Sequence, residues 1–248
     1  MQSYGVNSMN DVLLMFSGGK DSFLTACKLV EDGYNVKLIM FNSGCIAGEE
    51  NALVTAQRLV RKYGEHIEML GIRTSMSTRT RIDKYWKEMS INELNNYYPA
   101  VTGIQAQCFF CQTSMWIEAI GYCVAKNIKY IACGYKNSDD FCTGSEDYLD
   151  MLANICSNYN IEIKTPLWNF EDIRYGVNIR DEEISERRFV PSVLEPQCTI
   201  GLPAKQRISN DEMIQLTRYF DEYIDYKDLI NRSAKVLRCI KISNRSLI

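Results

Sequence analysis

Five apolar residues, Val12-Leu13-Leu14-Met15-Phe16, run directly into Ser17-Gly18-Gly19-Lys20-Asp21-Ser22, which opens an amphipathic stretch reaching about Glu31. No other segment restricts the fold as strongly. A continuous apolar run of this length reads as a strand buried on both faces, and the stretch after it reads as a helix. The two adjacent glycines allow the abrupt turn between them, and Gly33 closes the helix. A strand buried on both faces needs neighbours and covering helices, so the unit predicts a layered α/β fold and excludes a bundle or a sandwich.

The loop also has the composition of an anion site. Its glycines let backbone N–H groups approach an anion closely, and the start of the following helix adds partial positive charge. The hydroxyls of Ser17 and Ser22 can donate to phosphate oxygens, and Lys20 adds a mobile charge. The spacing matches neither G-x-x-x-x-G-K-S/T nor G-x-G-x-x-G. A carboxylate inside such a loop repels a polyphosphate unless a cation intervenes, so Asp21 is assigned to Mg²⁺ or to capping the helix. Ser17, Gly18, Gly19, Lys20, Asp21 and Ser22 are the candidate phosphate-binding residues, with Lys20, Asp21 and Ser22 as the candidate catalytic ones.

The alternation of strand and helix continues down the chain. Strands are predicted at Val36 to Phe41, His66 to Leu70, Tyr130 to Cys133 and Ile161 to Thr165. Helices are predicted at Glu49 to Tyr63, Phe109 to Lys126 and Asp147 to Tyr159. This is the pattern of a doubly wound parallel sheet, placed in residues 1–170 as one nucleotide-binding domain. Between 71 and 107 the pattern loosens into a lid-like insertion. Residues 171–248 form a C-terminal helical segment: a charge-rich helical stretch after Pro166, a loop from Val190 to Pro203 holding Cys198, and a helix from Asn210 to Tyr226 capped by Ser209 or Asn210. From Arg232 to the end the chain has five basic residues and no acid, and it reads as a frayed, solubilising terminus or an RNA-touching tail.

Composition enters where function classes must be excluded. The net charge of −3 argues against broad electrostatic capture of nucleic acid, so a small substrate is favoured over tRNA. No apolar run is long enough to span a membrane, and the polar start, Met1 to Asn10, lacks the pattern of a secretory leader, so a cytoplasmic protein is expected. In that setting the 10 cysteines are core, redox or metal residues and not a disulfide framework. Cys27, Cys123 and Cys156 fall in helical runs and are read as packing. The single histidine, His66, excludes a histidine-based general base or metal site.

Ser17 to Ser22 match the S-G-G-K-D-S signature of N-type ATP pyrophosphatases, and the chain resembles that PP-loop group over most of residues 11–170. The resemblance implies an adenine nucleotide α-hydrolase type of Rossmann-like fold, ATP and Mg²⁺ as cofactors, pyrophosphate release and an adenylated intermediate. It also implies that Met40, Phe41 and Asn42, at the end of the second strand, lie beside adenine, and that Gly134 lies near the ribose and phosphates.

Two branches of the group are represented. Asp139-Asp140, Glu146-Asp147-Tyr148-Leu149 and Ile161 to Leu167 look like the middle of 7-cyano-7-deazaguanine synthases, which convert a deazapurine carboxylate to an amide and then a nitrile. The four zinc-binding cysteines near the C-terminus of that family are missing here, and Cys108-Phe109-Phe110-Cys111 stands where an apolar Pro-Gly loop is expected. Cys108-x-x-Cys111 with Cys198 downstream resembles instead the layout of tRNA 2-thiocytidine synthetases, whose three cysteines hold a four-iron cluster. A CxxC pair at a helix start suits thiolate chemistry, so Cys108, Cys111 and Cys198 are the candidate metal ligands, for zinc or for an iron–sulfur cluster. A redox pair and plain core packing stay open, as do Cys133 or Cys142 as a further zinc ligand. The longer match favours adenylation of a nucleobase-type carboxylate, with tRNA thiolation and a non-catalytic ATP or AMP sensor as the alternatives. A homodimer is one open form of assembly.

Overall fold

The computed structural model describes residues 10–42, 46–47, 49–88, 103–170, 173–174, 177–178, 197–198 and 208–239. Strand β1 (Asn10–Met15) is the centre of a five-stranded sheet, with β2 (Tyr34–Asn42) on one side and β5 (Tyr130–Ala132) on the other. Outside these lie β4 (Ile67–Thr74), beside β2, and β6 (Glu162–Lys164), beside β5. Every pairing in the sheet is parallel. A two-residue strand β3 (Ile46–Ala47) stands apart from this sheet.

Side chains along β1 alternate between the two faces, and each face has its own core. Val12 and Leu14 join Val36, Leu38 and the helices α1 (Lys20–Glu31) and α2 (Glu49–Tyr63). Leu13 joins Ile39, Ile131 and a larger cluster built from α3 (Met76–Glu88), α4 (Gly103–Lys126) and α5 (Glu146–Ser157). Val12, Leu13 and Leu14 are all 0% exposed, and each such side chain contributes on the order of 1.5–3 kcal/mol by leaving water. The doubly wound parallel sheet expected from the sequence is the fold observed.

Three expectations change. The helix expected from Phe109 begins at Gly103, because Ala106, Phe109, Phe110 and Thr113 share one buried face at helical spacing. Cys108 and Cys111 therefore sit one to two turns inside the helix and not at its start. After Pro166, the charge-rich stretch expected to be helical holds a turn and two short antiparallel strands, β7 (Ile173–Arg174) and β8 (Val177–Asn178); residues 179–196 lie outside the described ones. A last short strand, β9 (Gln197–Cys198), pairs antiparallel with β3.

The third change is the tail. Helix α6 (Asn210–Tyr223) opens with a capping box, Ser209 Oγ accepting from the Glu212 N–H while the Glu212 carboxylate accepts from the Ser209 N–H. It is followed by α7 (Tyr226–Cys239), whose second half, from Arg232, was read as the start of a frayed or RNA-touching terminus. Leu229, Ile230, Ser233, Ala234 and Leu237 form a buried stripe on α7, and that apolar period outweighs the basic residues between them. Where α7 crosses α4, a Cβ at Gly121 would lie 2.6 Å from Ser233 Cβ, so the missing side chain permits the contact. Beside it the buried Glu118 carboxylate accepts from Ser233 Oγ at 2.6 Å and from Thr78 Oγ1 of α3 at 2.5 Å.

One carboxylate thus ties three helices together, and its removal strands two buried hydroxyls. Glu118→Ala should lower unfolding stability by about 2–4 kcal/mol, and Glu118→Gln by less, read from urea midpoints at constant m-value. Equal stability of Glu118→Ala and the parent would show that the network does not hold the helices.

Candidate active site

The strand order reverses at β1: the chain winds outward through β2 and β4, then returns to the far side through β5 and β6. In such sheets a crevice opens beyond the carboxyl ends of the strands at the reversal. A cavity of about 310 Å³ lies there. Met15, Phe16, Ser17, Asp21 and Ser22 line it from β1 and the loop, Met40 and Phe41 from β2, and Ala52 from α2. Cys111, Gln112 and Met115 line it from α4; Cys133, Gly134, Tyr135, Asp139 and Thr143 come from the segment after β5.

The loop's shape follows from its glycines. Gly18 has φ +82°, and a Cβ there would stand 2.5 Å from Ala52 Cα, so both backbone angle and space demand glycine. Gly19 is the N-cap of α1 and contributes no side-chain bond to the first turn, the arrangement in which an anion supplies the missing acceptor. Ser17 Oγ donates to Ser22 Oγ at 3.1 Å, and Ser22 Oγ donates to the Gly19 carbonyl at 2.9 Å. A Cβ on Gly134 would meet the Asp21 carbonyl carbon and Ser22 nitrogen at 3.0 Å, so this glycine lets the end of β5 press against the start of α1.

Asp21 Oδ2 lies 3.6 Å from Lys136 Nζ, and Lys136 is 5% exposed. Asp139 accepts from the Lys136 backbone N–H at 3.3 Å and from the Thr143 side chain. Burial pushes the Asp139 carboxyl above the usual carboxylate range and the Asp21 charge adds to this, while Lys136 and the hydrogen bonds oppose it. Two carboxylates therefore line the cavity beside the loop, with the buried Lys136 ammonium next to them. Lone carboxylates there would repel a nucleotide; with Lys136 beside them and a divalent cation on the ligand, they would not.

Of the residues singled out from the sequence, Ser17, Asp21, Ser22, Met40, Phe41 and Gly134 line the cavity, and Gly18 and Gly19 shape its rim. Lys20, the first residue of α1, and Asn42 are not among the lining side chains; the Asn42 carbonyl accepts from the Ser75 N–H at 3.1 Å. In α3, Arg79 donates to Gln107 Oε1 at 2.7 Å. Gln112, Tyr135, Asp139 and Lys136 were not read as site residues. The signal for three of them was their position directly after β5, at the carboxyl edge of the sheet.

Cys108 and Cys111 lie one helical turn apart on α4. Cys142, in a 3₁₀ turn (Cys142–Gly144), meets them: its thiol hydrogen-bonds to Cys108, and Cys111 is close enough to raise its pKa further. Cys198 pairs through its backbone with Ile46, and its side chain lies outside the described residues. Among the described residues no three His, Cys, Asp or Glu side chains are arranged to hold a metal ion. Cys27, Cys123 and Cys156 are buried in the two cores, as expected of packing residues. No helix among the described residues is long and apolar enough to cross a membrane.

Residues 11–175 match the family model described as Queuosine biosynthesis protein QueC. The chain belongs to the QueC family. As a QueC-family protein it is a PP-loop protein of the 7-cyano-7-deazaguanine synthase family, an ATP-dependent group. Two solved structures share its fold at 12% identity. One is a 4-thiouridine synthetase in complex with RNA and bound ATP, with TM-score 0.61, covering 91% of this chain and 53% of that one; this chain spans about half of that synthetase. The other is the NMN synthetase of Francisella tularensis, with TM-score 0.51, covering 96% and 90% of the two chains. A predicted subunit of tRNA methyltransferase from Methanocaldococcus jannaschii is 25% identical over 72% of this chain and 76% of that one, with TM-score 0.47. No curated protein matches the chain.

The thiols separate by environment. Burial pushes Cys133 and Cys156 up to about 12, and Cys142 is also raised, whereas Cys108 is partly exposed. At about pH 8, iodoacetamide should label Cys108 of the native protein well before Cys133 and Cys156, as peptide mass spectrometry would show. Equal labelling of all three before unfolding would contradict this assignment of environments.

Proposed function

We propose that this QueC-family protein is an AMP-forming enzyme that adenylates a carboxylate or carbonyl oxygen of a nucleobase-type substrate, as in amide and nitrile formation on a 7-deazaguanine skeleton. The observation that carries the reading is one cavity bounded by a glycine-rich phosphate loop on one side and by the apolar residues Met40, Phe41 and Met115 elsewhere. A nucleotide and a flat second ligand have complementary walls there.

In this reading residues 1–170 bind ATP and 171–248 form a C-terminal helical segment. The backbone of Ser17 to Ser22 cradles the departing pyrophosphate, with Lys20 neutralising charge as it leaves. Met40, Phe41 and Asn42 border the adenine, and Gly134 lets the ribose and phosphates approach the backbone after β5. Mg²⁺ arrives with the nucleotide, where Asp21 and Asp139 would hold it, and supplies charge neutralisation. Lys136 keeps Asp21 aimed at the cavity when no nucleotide is bound. The substrate oxygen attacks the α-phosphorus in line with the leaving pyrophosphate, and ammonia then displaces AMP from the activated carbon. The chemistry asks mainly for positioning, and the chain supplies no strong base.

Pyrophosphate release measured with ATP and 7-deazaguanine-7-carboxylate tests the proposal. Lys20→Ala and Asp21→Ala should each slow release about 100-fold or more while unfolding curves stay unchanged. Full activity in either variant would sink the assignment of the loop.

Sulfur transfer to tRNA has one observation in its favour, the meeting of Cys108 and Cys142 beside Cys111 at the cavity wall. In that reading Cys108, Cys111 and Cys198 carry an iron–sulfur cluster, and zinc on the same thiols is the choice compatible with amide formation. Iron, zinc and sulfide analysis of anaerobically purified protein separates the two. A brown protein whose visible absorption is lost on Cys108→Ser, Cys111→Ser substitution favours sulfur transfer; a colourless protein favours adenylation alone.

A further inference from the structure

Gln112 lies on α4 facing the cavity, flanked on its own helix by Cys111 and Met115, which also line it. Its amide ends a three-membered hydrogen-bond chain. The Trp116 indole Nε1–H donates to Tyr135 Oη at 2.8 Å, and Tyr135 Oη donates to Gln112 Oε1 at 2.8 Å. The direction of this chain is forced by chemistry. An indole N–H can only donate, so Tyr135 must accept from it. Tyr135 has one proton left to give, and Gln112 is its acceptor, so the amide must turn its carbonyl oxygen toward Tyr135. Turning the amide over would leave the phenol O–H without an acceptor in a largely apolar surround.

Burial, reinforced by Tyr148, Cys133 and Cys142, holds the phenol pKa well above its ordinary value, so the proton needed for this arrangement is present. Trp116 is 0% exposed, which anchors the far end of the chain. What remains is Gln112 Nε2, whose two N–H groups have no protein partner among the described residues. The wall of the cavity formed by α4 thus presents an oriented donor pair.

We propose that Gln112 is the specificity-determining residue of this site: its Nε2 donates to an acceptor oxygen, carbonyl or carboxylate, on a flat heteroaromatic substrate, and Tyr135 and Trp116 are positioning residues that keep the amide from flipping. The inference rests on the adenylation reading and deepens it. It assigns the choice of an acceptor-bearing substrate over an amine-bearing one to a single side chain. A site built to donate rejects a ligand that also donates, because one of the two donors is then left unpaired.

The experiment uses the full chain and three probes on one ring system: 7-deazaguanine-7-carboxylate, the 7-carboxamide and the 7-aminomethyl compound. Affinities are measured by calorimetry, ATP affinity is measured separately, and pyrophosphate release is followed with the carboxylate. The parent should bind carboxylate and carboxamide ahead of the amine. Gln112→Leu should weaken the carboxylate about 10- to 100-fold with ATP affinity unchanged. Gln112→Glu should reverse the preference toward the amine. Tyr135→Phe should cause a smaller loss that disappears in the Gln112→Leu background, a coupling that mere loss of packing would not produce.

Parent-like carboxylate binding by Gln112→Leu overturns the inference. So does an equal loss of ATP affinity, which would place Gln112 against the nucleotide, and so does a parent protein that binds none of the three probes. A parent that binds the carboxylate through Gln112 yet releases no pyrophosphate leaves the inference standing and removes the adenylation reading.

Discussion

The burial of β1 on both faces is the constraint on which the rest of the molecule depends. A strand with no solvent face must be paired on both edges and covered on both sides, and parallel pairing with β2 and β5 does this. Once the chain winds outward from β1 in both directions, the carboxyl end of β1 becomes the point of divergence. The glycine loop follows β1 directly, so its backbone is delivered to the crevice at the carboxyl ends of the strands. Gly18 and Gly134 then close the spacing, one against α2 and the other against the start of α1.

Helix α4 organises another wall of the cavity. Along one helix it carries Cys108 and Cys111, then Gln112 and Met115 at the cavity, Trp116 behind them, and finally Glu118 and Gly121 against α3 and α7. The same element therefore supplies side chains to the site and binds the C-terminal helices to the core. Residues that line the cavity and residues that fix the helix lie within a few turns of one another, which couples the precision of the site to the stability of the helical layer. The thiols share this wall: Cys142 reaches Cys108 from the turn after β5, and Cys111 lines the cavity beside them.

The phosphate end balances charge locally. Asp21 and Asp139 would oppose a polyphosphate, and the buried Lys136 offsets them before a ligand arrives. A site whose carboxylates are partly offset can take a nucleotide together with its cation, and it does not need the strongly basic surface that capture of a long polyanion would use. That agrees with the chain's net charge of −3.

Local features were legible in the sequence because their causes are local. The apolar run before Ser17, the glycines of the loop and a helix cap at Ser209 or Asn210 act over a few residues, and period and turn chemistry report them directly. The extra turns at the start of α4 and the second half of α7, from Arg232, were misread for a different reason. Their apolar residues are at helical spacing, but polar and basic neighbours obscured them until a partner surface existed to bury them. The candidate site divides along the same line. The sequence by itself determined that a phosphate loop follows a central strand, because strand, loop and helix are contiguous. Only the tertiary structure decided that Gln112 would be oriented by Tyr135, that Lys136 would neutralise Asp21 and that Cys142 would join Cys108, because these partners are brought together by the order of strands in the sheet and no local period records that order.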